Sequence, residues 1–319
     1  MSARIGVVGP VLLALVLVPC AACSGRFGVS DGGEPADAGP WTTRSPRALA
    51  CAVLAEATCA RVDACAPFLA QTSLGRGAAC VAPVTEHCVR TAGVGGSRRT
   101  PESLTACAEA IRASACGDFV ARFPDNCELP PGELALDASC AFDEQCGSSL
   151  CAREPETACG TCVRAPGVGA SCVFGRCARG LVCTSAGQCA KPAALGEPCG
   201  PNDPCTNLGF CDTGRCAPRR TVGQGCAGFG QCELFGESAC AANSICIATK
   251  VAKPGEACDL TANALVLCEA PYRCIDDRCA PAKPEGAACG SGGAHECAGH
   301  QTECLRGRCV ARVVEACRN

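Results

Sequence analysis

The sequence predicts a small disulfide-rich fold: an N-terminal disulfide-pinned α-helical domain followed by a tandem array of short cysteine-rich β-hairpin repeats. Three observations carry this. Of 319 residues, 36 are cysteine, above the roughly 8–10 % at which a short secreted chain is read as a disulfide scaffold. Large aromatic side chains are scarce, with one Trp, one Tyr and nine Phe, so one large apolar core is not expected and small covalently stapled units take its place. Between Cys140 and Cys309 the same cysteine pattern is written six times.

Cysteine use on this scale requires an oxidising compartment, and the N-terminus agrees. Arg4 gives a short positive n-region, and residues 5–18 form an apolar stretch of fourteen residues interrupted by Pro10. That is shorter than the roughly 20 residues of a membrane-spanning helix and normal for a signal peptide, here residues 1–22. The stretch ends Cys20-Ala21-Ala22-Cys23-Ser24-Gly25, which resembles a bacterial lipobox. The resemblance implies cleavage before Cys23 and acylation of its thiol. Several acyl chains, at about 0.8 kcal/mol per buried methylene, anchor firmly to a lipid membrane. Cleavage without acylation would instead release a secreted chain. Losing Cys20 with the signal and Cys23 to lipid leaves 34 cysteines, an even number, as full pairing requires.

Residues 23–44 are rich in Gly, Asp, Ala and Pro, without apolar periodicity, and read as a flexible tether. Residues 45–128 read as a helical eight-cysteine domain. Ser45-Pro46 is a cap followed by Pro at the first helical position. The Ala- and Leu-rich run behind it places Cys51, Leu54, Val62 and Cys65 near one face. A second helix is expected to carry Cys80 and Cys88 despite Pro83. A third opens at Thr100-Pro101-Glu102 with Leu104, Cys107 and Ile111, and a short fourth holds Phe119 and Val120 before Cys127. Eight helical residues span about 12 Å, whereas a disulfide needs Cα atoms within roughly 7 Å. Cys51 and Cys59, or Cys80 and Cys88, therefore cannot pair within one unbroken helix, and the same holds for Cys107 with Cys116. The bridges should run between helices.

Leu129-Pro130-Pro131-Gly132 ends the helical pattern, and residues 133–319 hold six repeats. Unit one has Cys140, Cys146, Cys151, Cys159 and Cys162. Units two to six have Cys172, Cys177, Cys183 and Cys189; Cys199, Cys205, Cys211 and Cys216; Cys226, Cys232, Cys240 and Cys246; Cys258, Cys268, Cys274 and Cys279; and Cys289, Cys297, Cys304 and Cys309. First cysteines recur every 27 to 32 residues, the mark of a tandem array. Units two to six open on Gly-x-x-Cys, and the second half of each unit looks like a hairpin, often with Gly or Asp at the turn. A lone hairpin is marginal in water; two bridges per unit, each contributing about 2–4 kcal/mol, can replace a core. If every unit closes on four cysteines, one thiol of unit one and Cys317 need partners elsewhere. Stacked end to end, the repeats should form a rod.

The Gly-x-x-Cys openings, Cys51-x7-Cys59-Ala-Arg-Val-x2-Cys65, Asp137-Ala-Ser-Cys140-x5-Cys146-Gly-Ser-Ser-Leu-Cys151 and Cys159-Gly-Thr-Cys162 resemble the cysteine-rich repeats grouped with the Dickkopf N-terminal cysteine-rich domain. The whole layout is similar to predicted cysteine-rich lipoproteins of the myxobacterial type. The resemblance implies a lipoprotein anchored in the outer membrane of a bacterial cell envelope, facing periplasm or cell surface, and no activity comes with it.

Constellations that could carry chemistry are few. Cys159-Gly-Thr-Cys162 is a CxxC, the pattern of a thiol–disulfide redox site, but no strand–helix unit of that type surrounds it. His295, Cys297, His300 and Cys304 have zinc-compatible spacing, yet both cysteines are regular repeat positions. His87 stands alone beside Cys88. Residues 223–228 match GxGxxG formally, without a strand before or a helix after. Arg98-Arg99 and Arg219-Arg220 read as solvated loop pairs. With three histidines and no recognisable triad, the sequence points away from an enzyme and from any cofactor or metal. It points toward a surface module with a protein or glycan ligand. A net charge of −3 argues against nucleic acid.

Overall fold

In a computed structural model the chain is described at residues 45–122, 127, 129–153, 157, 159–200, 204–228, 230–233, 237–259, 266–290, 297, 302–305, 307–311 and 317. The signal segment, Cys23, the tether, His295 and His300 fall outside these residues.

Among the described residues five helices form the N-terminal bundle. α1 (Pro46–Cys65) starts where the Ser45 side chain accepts a hydrogen bond from the Ala48 N–H at 3.1 Å. It stops before Pro67, which opens the single turn α2 (Pro67–Leu69) and a π-helical turn at Ala70–Leu74. α3 (Ala78–Gly93) keeps Pro83 inside it, buried. α4 (Pro101–Ala113) begins with a capping box: Thr100 accepts from the Ser103 N–H at 3.2 Å, and Ser103 accepts from the Thr100 N–H at 3.0 Å. α5 (Cys116–Arg122) follows directly.

α1 is the central helix and packs chiefly on α4 and α3. Val62, Leu69, Leu74, Ile111, Phe119 and Val120 fill the main core between them. Bridges pin this bundle from helix to helix, as the spacing demanded. Cys51–Cys88 and Cys59–Cys80 tie α1 to α3. The chain advances eight residues on one helix as it retreats eight on the other, so the two bridges are rungs about 12 Å apart on an antiparallel pair. Cys65–Cys116 joins the end of α1 to the start of α5, and Cys107–Cys127 ties α4 to the segment after α5.

Short paired strands follow. Unit one is a three-stranded sheet in the order β1-β3-β2, from β1 (Ser139–Cys140), β2 (Cys151–Ala152) and β3 (Gly160–Cys162). Units two to four each carry one antiparallel hairpin. These are β4 (Val182–Cys183) with β5 (Cys189–Ala190), β6 (Gly209–Asp212) with β7 (Arg215–Pro218), and β8 (Ser238–Cys240) with β9 (Cys246–Ala248). Unit five adds a parallel pair, β10 (Lys250–Ala252) with β11 (Val266–Cys268), to its hairpin of β12 (Arg273–Ile275) and β13 (Arg278–Ala280). Unit six ends on β14 (Thr302–Leu305) with β15 (Arg308–Ala311).

One wiring rule governs all six units: first cysteine to third, second to fourth. Units two and three show it as Cys172–Cys183 with Cys177–Cys189, and Cys199–Cys211 with Cys205–Cys216. Cys226–Cys240 with Cys232–Cys246, Cys258–Cys274 with Cys268–Cys279, and Cys289–Cys304 with Cys297–Cys309 continue it. In unit one Cys140–Cys151 and Cys146–Cys162 obey the rule, which leaves Cys159 over; it is bridged to Cys317.

The opening Gly has a backbone reason. Its φ is +78° to +89° in units two to six, a conformation that costs an ordinary L-residue about 1–2 kcal/mol. Turning there lets the Gly N–H donate to the carbonyl of the unit's last cysteine, at 2.8 Å for Gly169 and Cys189 and 2.7 Å for Gly196 and Cys216. The opening segment thus lies along the second hairpin strand, joined to it by a single antiparallel bridge such as Ser171 with Gln188 or Pro198 with Arg215. Asp137 takes the same place in unit one, at φ +66°, with its N–H donating to Cys162 at 2.8 Å; Asp tolerates this region better than most residues.

The array is not a rod. In units two to five the loop between second and third cysteines touches the helical bundle. Arg179 donates to the carbonyl of Cys127. Asn207 donates to the carbonyl of Val120 at 3.2 Å, and Leu208 packs on the bundle core. Glu237 meets the Phe68 backbone amide. Ala270 donates its N–H to the Gln71 carbonyl at 2.8 Å. The array therefore follows the bundle past α5, α2 and the π-helical turn, and Cys317 returns to unit one. Loop docking, which bare cysteine spacing does not encode, sets this course.

Candidate functional site

The interiors of units one, four and six are mostly sulfur. Cys140, Cys146, Cys151 and Cys162 are all buried and in contact, as are Cys289, Cys297 and Cys309. Some of these sulfurs crowd within 4.8 Å of one another, for instance those of Cys199, Cys205 and Cys216. They are oxidised to disulfides, however, and a metal ligand must be a thiolate. Of the zinc-spaced set, Cys297 and Cys304 sit in separate bridges.

The CxxC is divided in the same way. An extended chain turns residues three apart to opposite faces, and here the two sulfurs diverge. Cys162 is fully buried in the unit-one sulfur cluster and bridged to Cys146. Cys159 faces a different cluster, with Val94, Ala141, Phe142 and Cys317. The motif is shared between two bridges.

That second cluster marks the junction of bundle and array, where the chemistry-bearing side chains concentrate. Gln145 is buried; its carbonyl oxygen accepts from the Ala141 and Phe142 amides at 2.8 and 3.1 Å, and its amide donates to the Gly95 carbonyl at 2.8 Å. Gly132 passes so close that an added Cβ would lie 2.1 Å from the Gln145 backbone. Asp143 accepts from the Cys151 amide at 2.8 Å and holds Arg176 of unit two through both carboxylate oxygens. Arg99 pairs with Glu144 at 3.2 Å with both side chains largely shielded, 20 % and 16 % exposed. Burial pushes the Arg99 guanidinium below its ordinary pKa, and Glu144 and Asp143 pull it back. These contacts join the bundle, unit one and unit two in one ionic and amide network.

The arginine pairs are thus not the solvated pairs the sequence suggested. Arg98 alone fits that reading, in an exposed pair with Glu133 at 3.6 Å. Arg219 donates to the carbonyls of Asn207, Gly230 and Cys232, and burial lowers its pKa. Arg220 lies 5.3 Å from the centre of the Phe210 ring, pairs with Asp212 at 3.3 Å and donates to the Gly225 carbonyl. It clamps unit three to unit four. Free backbone carbonyls in tight loops need donors, and arginine supplies several from one planar group. GxGxxG proves to be the opening turn of unit four, with Gly223 at φ +89° and Cys226 bridged.

A recurrent latch was not anticipated. Arg215, Arg278 and Arg308 precede the last cysteine of units three, five and six. Each donates to the carbonyl of the opening Gly, at 2.8, 3.1 and 2.9 Å. The repeated Arg-Cys at that position was the available signal. On the outside, the residue before the left-handed turn position is a large aliphatic in units one to four. Leu136, Val168, Leu195 and Val222 there are 44–73 % exposed.

Two shallow grooves lie on the surface of the described residues. One of about 370 Å³ runs beside α4, lined by Pro101, Glu102, Thr105, Ala106 and Glu109. The other, about 360 Å³, lies between units three and four at Phe210, Asp212, Arg220 and Gln224. Neither lining contains a cysteine or histidine, and the charged groups of the second are already engaged with each other.

Such dense bridging belongs to an oxidising, extracytoplasmic setting. Among the described residues no helix is long and apolar enough to cross a membrane. Compared with protein-family models, with curated proteins and with solved structures, the chain matches none.

Proposed function

We propose that this chain is a non-enzymatic interaction module of a bacterial envelope, held to a lipid membrane through acylated Cys23 and displayed on the tether of residues 23–44. In this reading its partner is a protein or glycan ligand rather than nucleic acid, and it works without a cofactor. The observation that carries the reading is the disposition of the loops. Units two to five turn one loop each onto the bundle, while the opening turns with Val168, Leu195 and Val222 stay exposed. A bundle ringed by stapled units holds many short loops rigidly, and rigid loops bind with little loss of conformational entropy. The resemblance to Dickkopf-type repeats and to cysteine-rich lipoproteins points the same way.

Mass spectrometry of the mature native protein tests the anchor. The expected N-terminus is a triacylated or diacylated Cys23; an unmodified N-terminus elsewhere rejects it. A pull-down from native envelope, competed with soluble protein lacking the lipid, tests the ligand class. A partner lost on competition supports the module; turnover of a substrate by the purified chain overturns the non-enzymatic reading.

A further inference from the structure

Unit two holds a bulky side chain where its backbone disfavours one. Val173 and Arg176 pair across a two-residue turn, each N–H donating to the other's carbonyl, at 3.0 and 2.9 Å. Phe174 and Gly175 form the turn itself, at φ +48° and +74°. Both central positions of such a turn lie in the left-handed region, where Gly, Asn and Asp are the usual occupants. The other non-glycine residues with positive φ among the described ones are Asp137, Ser149, Thr213, Ser244, Asp276 and Asp277. All of these are short polar side chains that can bond the nearby backbone. Phe174 is the exception, and burial does not offset its strain. It is 56 % exposed, and among the described residues no other aromatic side chain is exposed. A strained aromatic turned to solvent points to a use outside the fold.

The rest of unit two shares this character. Val168 in its opening turn is 73 % exposed, so the unit holds the two most exposed large apolar side chains of the described residues. A Cβ added at Gly169 or Gly175 would meet nothing within 4 Å, so the space beside both turns is open. Charge sets the unit apart as well. The chain has no acidic residue between Glu156 and Glu197, and this stretch carries Arg164, Arg176, Arg179 and Lys191, in a protein whose net charge is −3. Arg176 and Arg179 are drawn to Asp143 and to the Cys127 carbonyl, while Arg164 and Lys191 are exposed. The loop that meets the bundle follows Cys177, and the Phe174 turn precedes it.

We infer that unit two touches a lipid bilayer directly, with Phe174 entering the boundary between headgroups and acyl chains and with Arg164 and Lys191 drawing the unit to anionic headgroups. An apolar tip on a basic, acid-free unit complements an anionic bilayer in both respects. The tip is convex, and a fluid bilayer accepts a protruding side chain without a preformed pocket. The inference goes beyond the proposed function and borrows from it only the nearness of a membrane. A module tethered to that membrane meets it at high effective concentration, so a weak contact suffices.

The test is flotation of the full mature chain carrying C23S, so that no acyl group takes it to lipid. Vesicles of phosphatidylcholine and phosphatidylglycerol in equal parts are compared with vesicles of phosphatidylcholine alone. The C23S chain is expected to float with the anionic vesicles and to bind the neutral ones about tenfold more weakly. Adding F174N, whose Asn suits the left-handed turn, is expected to weaken binding to the anionic vesicles at least about tenfold, whereas F174W binds like Phe. R164Q/K191Q is expected to lose the preference for anionic lipid. Amide exchange at Arg176 is expected to be unchanged or slower in F174N; faster exchange would mean that Phe174 serves the fold, and overturns the inference. Absence of flotation, or equal flotation of the C23S chain with and without F174N, also overturns it. So does a protein captured from native envelope by the parent and not by F174N when neither floats, which assigns the tip to a protein partner. Acylation of Cys23 is read separately by mass spectrometry, so failure of the anchor and failure of this contact are distinguishable.

Discussion

Single residues decide how the array meets the bundle, and Glu237 is the clearest case. It reaches the bundle beside Glu233; burial first, and Glu233 second, raise its pKa above the usual glutamate value, while the Phe68 amide pulls it down. The raised value means that the folded state binds the proton more tightly than the unfolded one. Glu237 thus adds stability once pH falls below that raised value, and opposes folding when ionised near neutrality. E237Q is expected to leave the guanidinium midpoint at pH 7 unchanged or higher and to flatten its rise on mild acidification. A lower midpoint at pH 7 would show that the carboxylate itself is needed. No feature of the sequence forecasts this, because the partner residue lies 169 positions away in the chain. Arg99 teaches the same lesson. Two adjacent arginines in a loop read as solvated, and only the arrival of Glu144 from unit one makes one of them part of a shielded pair.

At the scale of elements, local chemistry was far more readable. Ser45-Pro46 and Thr100-Pro101 marked two helix starts because caps act within four residues. The eight-residue spacing of Cys51 and Cys59 forced bridges between helices because helical rise is fixed. The π-helical turn at Ala70–Leu74 and the third strand of unit one escaped notice; neither has a periodic signature, the strands being two or three residues long. The opening turn offers a direct check at Asp137, where a residue other than Gly holds φ +66°. D137G is expected to be near neutral, whereas D137V costs about 1–2 kcal/mol and speeds amide exchange at Cys162. Equal exchange in both variants would remove the left-handed turn as the reason for the Gly-x-x-Cys openings.

For the whole molecule, the disulfides define the units, and small contacts define where they sit. Leu208 of unit three packs on the bundle core without being part of its helices. L208D is expected to leave every bridge intact and to expose the loop of residues 204–209 to limited proteolysis, at least about tenfold faster than in the parent, the equivalent of 1.4 kcal/mol of docking. Unchanged cleavage would mean that the array holds its course without this contact. The sequence foretold six units and two leftover cysteines, one thiol of unit one and Cys317, without naming their partners, because counting goes that far. It foretold a rod because counting says nothing about which loop faces inward.

The shared wiring of the units has a consequence for their order. Any unit could exchange places with another and still close first cysteine to third and second to fourth. Its middle loop, though, would arrive at the wrong address: Asn207 answers Val120, and Ala270 answers Gln71. A chain with its units shuffled would be fully oxidised and yet homeless on its own bundle. The cysteines are a common grammar, and the six residues or so between the second and third of them are what makes each sentence say something different.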